Sequence, residues 1–156
     1  MKIKVKLFEG ASPLEIIEKG DWIDLRAKDD LHIKTKSPEL HLIPLGVAMQ
    51  LPKGYEAIKA PRSSSYKKFG IMAANSIGVI DNSYCGPQDE WLFAAVVLKE
   101  CNISKGERIC QFRVQLNQKA SIWQKLKWIF TSGKIKFEYV DDLSAENRKG
   151  VGSTGV

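Results

Sequence analysis

Three stretches of the chain bring together side chains able to do chemistry. The first is residues 75–86, NSIGVIDNSYCG, where one carboxylate, Asp81, and one tyrosine, Tyr84, sit among turn-forming residues between apolar segments. A carboxylate is ionised at neutral pH and can accept the proton of an attacking water. Taken alone, an aspartate in such a setting is more often a turn former than a catalyst. The second stretch is residues 60–70, APRSSSYKKFG, in which Arg62 is followed by Ser63, Ser64 and Ser65 and then by Lys67 and Lys68. Hydroxyls and backbone N–H groups beside cations make a phosphate cradle, although such a run by itself more often marks a polar loop with a basic end. The third is the terminal GVGSTG, residues 150–155. It has the glycines of a phosphate loop but lacks the lysine of a Walker A motif and a helix after it, so it is not one.

The elements that must position these groups read as strands. Residues 2–7, 31–35, 108–116 and 134–140 alternate apolar and polar side chains, and Gly, Pro, Asn and Asp separate most of the rest. The pattern predicts an all-β protein, an antiparallel sandwich or barrel. In the clearest strand, Cys110, Phe112, Val114 and Leu116 share one face, which aims Gln111, Arg113 and Gln115 the other way. Residues 120–130, ASIWQKLKWIF, instead have helical spacing, and Ile122, Leu126 and Ile129 are expected to face inward. Trp123, Trp128 and Phe130 exceed what so narrow a stripe covers, so at least one should meet a neighbouring subunit or stay exposed. Residues 147–156, NRKGVGSTGV, carry no core-forming pattern and read as a flexible tail.

Composition narrows the class without choosing a function. A chain of 156 residues, 44% hydrophobic and 27% charged, suits one globular domain, and no apolar run is long enough to span a membrane. The N-terminus alternates Lys2, Lys4 and Lys6 with Ile3, Val5 and Leu7, unlike a signal peptide, so the cytoplasm is expected. Three cysteines without CxxC spacing, and only two histidines, argue against a zinc site or disulfide framework. The net charge of +6 suits an anionic partner, a description that nucleic acid, acidic lipid and nucleotides all meet.

Five segments in order resemble the five motifs of the homotrimeric dUTPases: GDWIDLRA at 20–27, PRSSSYKKFG at 61–70, NSIGVIDNSYCG at 75–86, KGERICQF at 105–112 and NRKGVGSTG at 147–155. The first is similar in particular to the dUTPases of Gram-positive bacteria and their phages. The resemblance implies a jelly-roll-like β fold over residues 1–146, a homotrimer with shared active sites, and a C-terminal arm, 147–156, that closes over a neighbouring subunit's site. It implies hydrolysis of dUTP to dUMP and pyrophosphate with Mg²⁺ as cofactor, and neither membrane nor nucleic acid as partner.

Residue by residue, the resemblance assigns Asp81 to activate water for in-line attack on the α-phosphate. Tyr84 would lie against the deoxyribose, and Asn75 with the backbone of Gly78 and Ile80 would read the uracil edge. Arg62, Ser63, Ser64 and Gln111 would hold the α- and β-phosphates, while Arg148, Ser153 and Thr154 would hold the γ-phosphate. Asp24 would stand near the metal through water, the ion being carried mainly by the triphosphate. Three features depart from the family pattern. Val151 stands where many members have a phenylalanine that stacks on uracil, Cys85 stands at an often basic position, and residues 120–133 look like an insertion. Trp91 and Phe93, on one face of the next strand, are the candidates to replace the missing ring. Two other readings remain: an enzyme related to dCTP deaminase, and a nucleotide-sensing regulatory protein with a protein partner.

Overall fold

Each alternating segment becomes a strand because it can turn one row of side chains to a common core. The structure, a computed structural model, describes residues 1–16, 20–131 and 134–148. Strand β1 (Lys2–Leu7) buries Ile3 and Val5 and leaves Lys2 and Lys4 in solvent. The remaining strands are β2 (Ile23–Arg26), β3 (Leu31–Ile33), β4 (Glu39–Pro44), β5 (Val47–Gln50), β6 (Tyr55–Pro61), β7 (Ile71–Ala73), β8 (Gly78–Asp81), β9 (Leu92–Val97), β10 (Cys101–Ile103), β11 (Arg108–Leu116) and β12 (Lys136–Tyr139). Two helices are described, α1 (Ser65–Phe69) and α2 (Ile122–Thr131). None is long and apolar enough to cross a membrane.

The strands form sheets in the orders β12-β1-β5, β10-β3, β2-β11-β6-β8 and β4-β9-β7. Every pairing is antiparallel except that of β1 with β12. Strand β11 behaves as its pattern predicts, burying Cys110, Phe112 and Val114 and exposing Arg113. Phe112 meets Trp91 edge to face, with ring centroids 5.1 Å apart, at the middle of one continuous core. Burying a large apolar side chain contributes about 1.5–3 kcal/mol, so this core is what fixes the ends of the strands.

Two expectations need correcting here. Trp91 and Phe93 do share a face, but it is the core face, and at 0% and 2% exposure neither ring is open to a base. Alternation along β9 puts both rings in the shared core and turns Leu92, Ala94 and Val96 to the other face. The helix α2 lies where the spacing places it, yet within the single chain Ile122, Leu126 and Ile129 are left exposed rather than buried on their own subunit. Its phase is set by a capping box. Gln124 N donates to Ser121 Oγ at 3.3 Å and Ser121 N donates to Gln124 Oε1 at 2.7 Å. Gln124 then donates to the Lys53 carbonyl, and Trp128, one turn on, packs against Tyr55 at 5.6 Å. Trp123 and Phe130 are left 77% and 82% exposed.

Candidate active site

The phosphate-cradle candidates gather where β6 ends. Beyond Pro61 the chain passes through Arg62, Ser63 and Ser64 into α1, which is tied down by Ser65 Oγ donating to the Ile109 carbonyl at 2.7 Å. Gly70 ends the helix in the left-handed conformation, φ 66°, with its N–H on the Tyr66 carbonyl. Ser63 and Ser64 are therefore exposed on a fixed turn. Asp24, almost buried in β2, accepts from Arg62 Nε at 2.8 Å on one oxygen and from Arg108 Nη1 at 3.1 Å on the other. Two guanidiniums against one carboxylate leave a net positive charge. Gln111 stands opposite Asp24 across the β2–β11 pair and donates to the Pro61 carbonyl at 3.4 Å.

Asp24 thus holds two arginines, one on each carboxylate oxygen. Arg108 belongs to this cluster and was not singled out in the sequence, although it lies inside KGERICQF between residues already quoted. Among the described residues no group of three or more His, Cys, Asp or Glu side chains could cage a metal ion.

Asp81 ends β8, an edge strand that among the described residues pairs with β6 alone. The stretch 75–86 is not a hairpin closed on itself: β7 joins β9, while β8 joins β6. An edge strand leaves alternate backbone N–H and C=O groups unpaired along its outer side, and because Ala57 and Lys59 of β6 face Ile80 and Gly78, the outward groups on β8 are those of Val79 and Asp81. Asn75 is exposed in the tight turn before it, where Ser76 adopts φ 57°. Beneath Gly78 runs the buried Lys59, whose ammonium donates to the Leu92 carbonyl; a Cβ on Gly78 would stand 2.9 Å from Lys59 Cε. Burial lowers the Lys59 pKa against a smaller opposing effect of Cys110.

The Asp81 carboxylate is 45% exposed and held on both oxygens. Ser83 donates to Oδ1 from its backbone at 2.7 Å and from its hydroxyl at 2.5 Å, and Arg148 Nη1 donates to Oδ2 at 2.5 Å. Partial burial pushes the Asp81 pKa up, but the Ser83 hydroxyl, the Arg148 guanidinium and the Ser83 amide together bring it below the ordinary value. Asp81 stays ionised at neutral pH. Tyr84 is half-buried beside it, its hydroxyl donating to the Glu90 carbonyl at 2.9 Å. Ser83 was missed in the sequence, although Asp-x-Ser is the spacing of an aspartate that caps its own turn. Ser153 and Thr154, like Val151, lie outside the described residues.

The two clusters do not meet within one chain. Asp81 pairs with Glu56 near the start of β6, whereas Arg62 follows its last residue, Pro61. Six residues at about 3.3 Å each set them ~20 Å apart, far beyond the ~3 Å reach of a base to the water it activates.

Three comparisons place this geometry among known proteins. The dUTPase family profile matches residues 22–154. Over 157 aligned residues the chain is 47% identical to the SPbeta prophage-derived deoxyuridine 5'-triphosphate nucleotidohydrolase YosS of Bacillus subtilis, covering 100% of this chain and 99% of that protein. It is 32% identical to the deoxyuridine 5'-triphosphate nucleotidohydrolase of Rickettsia akari, covering 98% and 94%. Among solved structures, the dUTPase of Streptococcus mutans superposes with a TM-score of 0.66 at 20% identity over 76% of this chain and 98% of that one. The dUTPase of Staphylococcus bacteriophage 80alpha gives 0.64 at 19% identity over 77% and 93%.

Proposed function

Because the chain belongs to the dUTPase family, we propose that it hydrolyses dUTP to dUMP and pyrophosphate at sites shared between the subunits of a homotrimer. The separation of Asp81 from the Arg62 cluster along β6 carries this reading. One triphosphate cannot touch both in a single chain, so a complete site takes Asp81 from one copy and the cradle from another. A surface for such an assembly exists on the outer side of the β4-β9-β7 sheet, where Leu40, Leu42 and Met72 are about half exposed or more. Apolar sheet faces of this kind are what subunit contacts cover.

In the proposed reaction Asp81 accepts a proton from water as its oxygen bonds to the α-phosphorus. The bond to the bridging oxygen of the β-phosphate breaks opposite to it, and pyrophosphate leaves. Arg62, Arg108, Gln111, Ser63 and Ser64 hold the α- and β-phosphates, and the cationic pair offsets charge moving onto the leaving group. Mg²⁺ would come with the triphosphate, with Asp24 near it through water, and when bound would neutralise phosphate charge. The open backbone edge of β8 between Gly78 and Asp81, with Asn75, reads the uracil, and Tyr84 lies against the sugar. Arg148, with Ser153 and Thr154, takes the γ-phosphate, and residues 147–156 form the closing arm.

The purified protein should release pyrophosphate from dUTP with Mg²⁺ and leave dCTP, dTTP and UTP nearly untouched. Conversion of dCTP would favour the deaminase-related reading. The exposed apolar face of α2 favours a second role, in which nucleotide binding controls contact with a protein partner. That role predicts that Trp123→Ser with Phe130→Ser leaves hydrolysis intact.

A further inference from the structure

We propose that Glu90 is a positioning residue for sugar selection: it fixes the carbonyl that holds the Tyr84 hydroxyl, and so keeps the Tyr84 ring from yielding to a ribose 2′-OH. The inference rests on the reading that Tyr84 lies against the sugar, and adds the means by which the ring is held. A ring excludes an added oxygen only if it cannot retreat, because an apolar wall by itself discriminates poorly against an analogue that merely gains a hydroxyl. Tyr84 packs partly against the core and is anchored at both ends. Its N–H donates to the Asp81 carbonyl at 3.2 Å, and its hydroxyl, at the far end of the ring, donates to the Glu90 carbonyl at 2.9 Å. The first bond sets where the side chain starts, and the second limits rotation about its χ angles. Burial, with Asp89 and Glu90 nearby, raises the Tyr84 pKa, so the phenol keeps the proton it donates.

The acceptor is itself held on several sides. The Glu90 carboxylate accepts from Gly46 N at 2.9 Å on one oxygen and from Lys28 Nζ at 3.2 Å on the other. The two side chains are only 16% and 20% exposed, so this pair is less screened than an ion pair on open surface. The backbone after Glu90 is tied to the same turn between β4 and β5, since Trp91 N donates to the Val47 carbonyl at 2.8 Å and Leu45 N to the Trp91 carbonyl at 3.0 Å. Lys28 is tied there too, its N–H donating to the Pro44 carbonyl at 3.0 Å. Glu90, Lys28 and the β4–β5 turn therefore form one block. None of them touches a nucleotide in the proposed chemistry, and the block reaches the site through the Tyr84 hydroxyl.

The test reads selectivity and not activity alone. Values of kcat/KM for dUTP and for UTP are measured in the full-length protein and in the Tyr84→Phe, Glu90→Ala, Glu90→Gln, Tyr84→Ala and Tyr84→Phe/Glu90→Ala variants. A variant that is merely less stable loses both substrates alike and keeps their ratio. Tyr84→Phe and Glu90→Ala should each lower the preference for dUTP over UTP by about 3- to 10-fold, the worth of one hydrogen bond. The double variant should match Tyr84→Phe, because a residue acting through another adds nothing once that other is gone. Glu90→Gln still accepts from Gly46 N but loses the charged bond to Lys28, so its preference should fall less, by about 2- to 3-fold. It decides the matter if Glu90→Ala fails to fold. An unchanged preference in Tyr84→Phe, in folded Glu90→Ala or in Glu90→Gln, or falls that multiply in the double variant, would overturn the proposal. A lost preference in Tyr84→Ala beside an intact one in Tyr84→Phe overturns the tether alone, whereas an intact preference in Tyr84→Ala overturns the placing of Tyr84 against the sugar and the proposal with it.

Discussion

If the site is built from two chains, two inactive variants should rescue each other. Asp81→Asn removes the base and keeps its shape, while Arg62→Gln weakens the cradle but still offers Asp24 a donor. The first change should cost about 10²–10⁴-fold in rate. The second removes a charge-assisted contact worth about 1.5–3 kcal/mol, leaving roughly 1–10% of activity. Mixed in equal amounts under conditions that reassemble trimers, the two chains combine at random. Each site then draws an intact Asp81 from one chain with probability one half and an intact cradle from its neighbour with probability one half. About one quarter of sites should be wholly intact, since a cyclic trimer has the same directed contact between each pair of neighbours. Activity near 25% of the unmutated enzyme would stand well above either parent. The ~20 Å between Asp81 and Arg62 within one chain is the basis of this expectation. Steady-state pyrophosphate release, measured before and after mixing, gives the answer. A mixture no more active than the mean of its parents, in trimers shown by mass spectrometry to contain both chains, would refute the shared site.

Asp81→Asn alone should abolish hydrolysis yet still bind a non-hydrolysable dUTP analogue, as calorimetry can check; lost binding would mean that Asp81 holds the substrate instead. The Cys110 thiol, pushed up to about 12 by burial, should resist iodoacetamide at pH 8 until the protein is denatured, because only about one thiol in ten thousand is then thiolate. Mass spectrometry that found Cys110 alkylated first in native protein would contradict its placement in the core. Trp128→Ala should lower stability by about 1–2 kcal/mol, less than the ~3–5 of a fully buried aromatic. Trp123→Ala should fall within about 0.5 kcal/mol of no change. Equal losses of melting temperature would show that α2 sits in another phase.

The parts of this molecule legible in its sequence are those written in local pattern. Alternation found β1 and β11 because most of their side chains turn alternately toward core and solvent. In β6 the rule fails at one position: Tyr55, Ala57 and Lys59 face the core while Ile58 does not, so a lysine occupies a buried place that hydropathy would give to the isoleucine. The α2 stripe failed for a related reason. Hydrophobic spacing predicted the helix, but the capping box of Ser121 and Gln124 and the fit of Trp128 on Tyr55 fixed which side faces the body. Trp91 and Phe93 had the right face and the wrong neighbour, since alternation says that two rings share a side and not what covers that side.

The contacts by which Asp89 accepts the backbone N–H groups of Gly86 and Arg148 were illegible for a deeper reason. That with Arg148 joins residues 59 positions apart, and a buried carboxylate in a loop carries no periodic signal. What revealed them is an accounting of partners: a carboxylate out of water must have its oxygens satisfied, and here the satisfying donors are backbone groups at 86 and 148. The same accounting explains why the two clusters differ in character. Asp24 is nearly buried and spends both oxygens on arginines, which makes it an organiser of positive charge. Asp81 is half open, at the free end of an edge strand, and carries one arginine that a triphosphate can draw away. A carboxylate meant to take a proton must be ionised and reachable at once, and among the carboxylates of the two clusters Asp81 alone meets both conditions.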